Sequence, residues 1–168
     1  MRFANFCAAL GLLLGVSPAL AVDLNKLPGL DQVPKGSLLE KVNKSLADQQ
    51  IKDGQFEFKT GKAEFTPGND KRVNGLLKVL TDNSRTLNAA FPNLRVTTEG
   101  HTDADGMPEA NQKLSEARAK KVCAALKARG MKMPCVPSGV GSSKPLVSPE
   151  KTPADKQRNR RVLVQVAK

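Results

Sequence analysis

One stretch limits the fold more than any other. Residues 94–130 run from "LRVTTEG" through "HTDADGM" into "PEANQKLSEARAKKVCAALKARG". The first piece alternates Leu94, Val96 and Thr98, a strand pattern that stops at Gly100. The last puts Leu114, Ala119, Val122, Ala125 and Leu126 on one helical face, with Pro108 suited to the first turn and Gly130 to the C-terminal cap. A strand joined by a short loop to a long amphipathic helix folds that helix back over the sheet. The loop and the helix then lie side by side.

One residue breaks the apolar stripe. Arg118 stands four residues after Leu114 and four before Val122, on the face that should meet the sheet. A guanidinium keeps its proton in proteins, and burying it unpaired costs several kcal/mol. Either its head reaches water along an extended stem, or an anion meets it. Asp103, in the loop before the helix, is the nearest candidate. The pair reads two ways. It is an internal salt bridge tying loop to helix, or it is the two halves of a receptor for a zwitterion. In the second reading the carboxylate takes an ammonium and the guanidinium grips a carboxylate through two parallel hydrogen bonds.

The remaining pattern surrounds this unit with alternating helices and strands. Residues 22–36 hold two prolines and two glycines without a period and read as a lead-in. Residues 37–50 repeat Leu38, Leu39, Val42 and Leu46 at helical spacing. Residues 54–68 alternate around Phe56 and Phe58 and predict a strand followed by a loop. A helix over 66–92 aligns Val73, Leu76, Leu77, Leu80, Leu87 and Phe91 and stops at Pro92. A short strand over 133–141, a proline-bearing loop over 142–157 and a strand with Val162, Val164 and Val166 alternating complete the chain. The expected order is β-α-β-α-β-β, an α/β arrangement (an α+β sandwich) with helices on one face of the sheet.

The N-terminus predicts export. Residues 1–21 have a basic start at Arg2, an apolar run from Ala8 to Val16 and the small-residue sequence Ala19-Leu20-Ala21, a secretory signal peptide cut after Ala21. The run is short for a membrane span, so a soluble mature chain without a transmembrane segment is expected. The formal charge of +11 becomes +10 once Arg2 is removed, a balance that suits an anionic partner or surface. Export, and the lack of Trp and Tyr for base stacking, argue against nucleic acid. Cys123 and Cys135 remain after cleavage: an even count in an oxidising compartment suggests one disulfide, and two buried free thiols are the alternative.

Several motifs in order resemble a known family: "GHTDADG" (100–106), Asn111, "LSEARA" (114–119), "GVG" (139–141) with Pro145, and "NRRV" (159–162). Together with "FEFKTGKAEFTP" (56–67) they are similar to the OmpA-like peptidoglycan-binding domain, and to the domains of peptidoglycan-associated lipoproteins and flagellar stator proteins. The resemblance covers residues 54–168, leaving 22–53 as an N-terminal extension with a short amphipathic helix. It implies a mixed sheet and non-catalytic binding of the cell wall through the meso-diaminopimelate of the stem peptide. Asp103 would hold the ammonium of that residue and Arg118 its carboxylate. Asn111 would lie beside the ligand, with Thr102 and Arg161 lining the same site, while Gly100 and Gly106 serve backbone geometry. The resemblance also implies the periplasm of a Gram-negative bacterium, with or without association with the outer membrane, and no cofactor. Ser142 stands where the family usually has an acid, and Asp155-Lys156 where it often has Gly-Arg.

Three other readings use the same residues. His101, Asp103 and Ser115 are the residue types of a hydrolase triad, without a nucleophile elbow to support it. His101, Asp103 and Asp105 offer ligands to a hard cation such as calcium, without the usual Asp-rich loop. The 37–50 helix offers a surface to an envelope protein partner, which would make the domain an interaction module.

Overall fold

The computed structural model describes residues 35–168. The expected leader (1–21) and the lead-in up to residue 34 lie outside the described residues. Three helices come from the apolar periods: α1 (Lys35–Asp53), α2 (Asn69–Ala90) and α3 (Pro108–Ala128). Three strands, β1 (Arg95–Gly100), β2 (Cys135–Gly139) and β3 (Val162–Ala167), form one sheet in the order β2-β1-β3. The central β1 runs parallel to β2, with Val96 opposite Cys135, and antiparallel to β3, with Thr98 opposite Val164. The sheet is therefore mixed, as expected. Its inner face presents Val96, Thr98, Val162, Val164 and Val166. The apolar stripes of α2 (Val73, Leu76, Leu80, Leu87) and α3 (Val122, Leu126) close over it.

Two departures from the sequence expectation matter. The 54–68 stretch does not join the sheet; it makes only a single antiparallel bridge, Phe58 to Phe65. The reason lies on the outer edge of β3. Asn43 of α1 accepts from the Val166 N–H (2.8 Å) and donates to its carbonyl (3.0 Å). Gln50 does the same for Val164, at 2.9 and 3.1 Å. Two side-chain amides on a helix thus satisfy the backbone groups that an added strand would have used. Val42 and Leu46 on the same helix are buried in the core, so α1 packs on the domain. At the other edge, Pro137 lacks an N–H and Gln112 donates to the Gly139 carbonyl (2.5 Å), which blunts β2.

The second departure is a helix inside the expected 142–157 loop. Residues Pro153–Asn159 form α4. Thr152 and Asp155 make a reciprocal capping box at its start. Asp155, one of the departures from the family pattern, is thus a capping residue. The element order is α-α-β-α-β-α-β rather than one that opens on a strand.

Cys123 of α3 and Cys135 of β2 are disulfide-bonded, with their Cα atoms 5.9 Å apart. In the chain-entropy picture, a loop of this size stabilises the fold by about 3 kcal/mol. The bond ties α3 to the sheet near its C-terminal end. Near its N-terminal end the contact is closer still: a Cβ on Gly100 would collide with the Ser115 carbonyl, and one on Gly139 with the Glu116 amide nitrogen. Only glycine lets the α3 backbone settle on the ends of β1 and β2. That contact fixes where Arg118, one turn further along, enters the molecule.

Candidate functional site

The site forms where β1 ends, the loop 101–107 turns and α3 begins. Backbone hydrogen bonds hold the loop from below: His101 N–H to the Arg161 carbonyl (2.8 Å) and Thr102 N–H to the Gly141 carbonyl (2.9 Å). From the helix side Asn111 reaches back, donating to the carbonyls of Asp105 (2.9 Å) and Asp103 (3.4 Å). Gly106 turns the chain with φ 93°, a left-handed value that favours glycine. The loop is therefore preorganised, and it aims the Asp103 carboxylate into a cavity of about 460 Å³. Thr102, Asp103, Asn111, Arg118 and Arg160 all line that cavity.

Arg118 is 5 % exposed. Its Nε donates to the Lys62 carbonyl (3.2 Å), and its guanidinium carbon lies 5.1 Å from the centre of the Phe58 ring. Among the described residues no carboxylate lies within ion-pair distance of it. Burial, and next the nearby Arg160 cation, push its pKa down, while Asp103 opposes them. The internal salt bridge, one of the two readings of this pair, is not formed. Asp103 instead accepts from Arg160, at 2.5 Å. Arg160 closes the C-terminus of α4, so the direction of its side chain depends on a short helix that stands where the sequence predicts a loop.

The adjacent arginine goes elsewhere. Arg161 is buried and donates to the carbonyls of Lys144 (3.0 Å) and Asn159 (3.3 Å). It lines a separate cavity of about 430 Å³ between α1 and β3. Of the five expected site residues, Thr102, Asp103, Asn111 and Arg118 converge, while Arg161 faces away and Arg160 stands in its stead. The NRRV motif holds both arginines without saying which enters the cleft; Arg160, the C-cap of α4, is the one that lines it. Thr102 adds a further polar group: its hydroxyl is buried, and no described residue hydrogen-bonds it.

The catalytic and metal readings find no geometry. Ser115 donates to the Gln112 carbonyl (2.8 Å) and accepts from the Gly141 N–H (3.0 Å), an arrangement that binds α3 to the sheet end. The His101 ring is 1 % exposed, with Nε2 3.2 Å from Glu99 rather than beside Ser115. It orders the loop through its backbone N–H; neither ring nitrogen makes a hydrogen bond of good geometry. Asp105 is taken by Lys156, with both carboxylate oxygens at 2.7 Å. Among the described residues, no three His, Cys, Asp or Glu gather as metal ligands, and no helix is long and apolar enough to cross a membrane.

A preorganised loop carboxylate and a buried helix guanidinium across one cavity, on an α+β sandwich, define a non-catalytic binding domain. Residues 57–160 match the OmpA family, and the chain belongs to it. The outer-membrane lipoprotein YfiB of Pseudomonas aeruginosa is 37% identical over 117 residues, 68% of each chain. The fold is shared with a putative MotB-like protein of Desulfovibrio vulgaris (TM-score 0.56, 17% identity, 83% of this chain and 96% of that one). It is also shared with the peptidoglycan-associated lipoprotein of Burkholderia pseudomallei (TM-score 0.53, 21% identity, 67% of this chain and 87% of that one).

Proposed function

We propose that this domain binds peptidoglycan through the meso-diaminopimelate of the stem peptide and so tethers the protein to the cell wall in the periplasm. The observation that carries the reading is the charge state of the cavity. Among the described residues Arg118 is buried without an anion, and Asp103 across the cavity is held only by Arg160, which is more than one-third exposed at its side chain. A zwitterionic head group answers both. Its carboxylate meets Arg118 in a bidentate pair, and its ammonium takes over Asp103 while Arg160 swings aside. Thr102 and Asn111 supply neutral polar groups along the wall. Membership in the OmpA family and the likeness to a peptidoglycan-associated lipoprotein support peptidoglycan as the partner and a location in the cell envelope.

The interaction-module reading has less to draw on. Val42 and Leu46, the apolar positions that would present α1 to a partner, are buried within the domain. Sedimentation with purified sacculi tests the main reading. Wild type should pellet, Asp103→Ala and Arg118→Ala should remain in the supernatant, and free diaminopimelate should compete. Undiminished pelleting of both variants would overturn the site.

A further inference from the structure

The cavity described above has a second lobe. A neighbouring hollow of about 400 Å³ shares Phe58, Arg118, Gln157 and Arg160 with it and extends along Phe56, Glu57 and Thr66. Both guanidinium side chains, Arg118 and Arg160, line the two lobes.

The charges lining both lobes do not balance. Two of the three acids have their own cations: Asp105 pairs with Lys156 (2.7 Å) and Glu57 with Arg72 (2.7 Å). Asp103, Arg118 and Arg160 remain, one carboxylate against two guanidinium groups. A zwitterion adds no net charge, so it cannot correct that excess. When its ammonium displaces Arg160 from Asp103, that arginine keeps only the neutral Gln157 side-chain oxygen, at 2.7 and 3.2 Å. A guanidinium without a counter-charge attracts an anion, and the second lobe is where a further anion can reach it.

We infer that the cleft takes a net-anionic ligand, with the zwitterionic head in the lobe of Asp103 and a second carboxylate in the lobe of Phe58 and Thr66, paired with Arg160. Resting on the wall-binding reading above, this specifies the ligand: a diaminopimelate peptide with a free carboxylate directly C-terminal to the zwitterionic side chain. A stem that ends at the diaminopimelate residue has that group; a stem that continues beyond it, or is amidated there, lacks it. The ring of Phe58 flanks the approach, and the Thr66 hydroxyl, bound only weakly to Glu57 (3.4 Å), can turn to donate to the incoming anion.

Isothermal titration of the full mature chain with two tripeptides ending in meso-diaminopimelate tests this. One has its main-chain carboxylate free and the other has it amidated, the side-chain head being intact in both. The free acid should bind about tenfold more tightly, the difference of one charge-assisted pair. Arg160→Gln, and Thr66→Phe filling the second lobe, should each bring the ratio close to one while the amide still binds. Equal affinity of the two peptides for wild type would overturn the second lobe and leave the wall-binding reading standing. If neither peptide binds wild type, both readings fall together. The wild-type comparison decides even where a variant does not fold.

Discussion

Arg118 carries a charge that the fold itself does not neutralise. Among the described residues its side-chain hydrogen bond goes to the Lys62 carbonyl, and its guanidinium lies over the Phe58 ring. A structural salt bridge would be destabilised by losing either member, but a charge held for a ligand behaves differently. Arg118→Met keeps the length and removes the desolvated cation, so the folded state should be as stable as wild type or more so by about 1–4 kcal/mol. Urea unfolding checks the stability and sacculus sedimentation the function, which should be lost. A variant that is clearly less stable would return Arg118 to an architectural role. His101 gives the second residue-scale prediction. Burial first, and the Arg161 cation next, lower its pKa from 6.5 to about 4, with Glu99 opposing. Between those values the unfolded chain binds a proton that the folded ring refuses. Stability from this residue is therefore complete above about pH 6.5 and falls, by on the order of 3 kcal/mol, as pH drops towards 4. His101→Gln should flatten that loss when unfolding is compared at about pH 7.5 and about pH 4.5; parallel curves for the two proteins would contradict it. At this scale the sequence was readable where spacing dictates position. Asp103 and Arg118 follow from a strand, a short loop and a helical period. Arg160 does not, because which of two adjacent arginines enters the cleft is decided by the last turn of α4.

The first helix shows what a period reveals and what it hides. Val42 and Leu46 announce α1 at helical spacing, and both are buried. Nothing in that spacing says that Asn43 and Gln50, seven residues apart, will bind alternate residues of a strand more than a hundred positions later. Their role depends on an edge that exists only once the sheet is assembled. The same edge explains the 54–58 segment. Its alternation of Phe56 and Phe58 is that of a strand, but β3 already has its partners, so Phe56 is buried and stacks on Phe65 (centroids 5.8 Å apart) outside any sheet. The capping box of α4 was legible as Thr152-Pro153-Ala154-Asp155, and its polar, proline-bearing surroundings disguised it. Asn43→Ala leaves the Val166 N–H and carbonyl without partners and should lower unfolding free energy by about 1–3 kcal/mol. Adding Gln50→Ala uncovers a longer run of edge, which invites pairing with another chain. The double variant should therefore elute as larger species in size-exclusion chromatography as concentration rises, whereas wild type should not. A monomeric double variant of undiminished stability would show that the amides are incidental.

Over the whole molecule the basic excess and the charged cleft are separate things, and they can be separated by salt. The formal charge is +11 for the full chain. Many acids are already matched by a cation, as in Lys44–Asp48, Lys59–Glu64 and Lys78–Asp82, all largely exposed pairs. The surplus is thus carried by lysines and arginines at the surface, where attraction to an anionic wall is long-ranged and screened. The Debye length falls from about 10 Å at 0.1 M to about 3 Å at 1 M. Arg118, 5 % exposed, is shielded from that screening by the protein around it. Sacculus binding should accordingly contain two components. Raising salt from about 50 mM to about 500 mM should strip the weak, surface-driven part from wild type and leave a saturable remainder. Asp103→Ala should retain only the weak part, binding at low salt and releasing as salt rises. Free diaminopimelate should displace the remainder in wild type and have no effect on what the variant binds. Loss of wild-type binding in parallel with the variant across the salt series would mean that surface charge alone drives adhesion, with no specific component left for the cleft between Asp103 and Arg118.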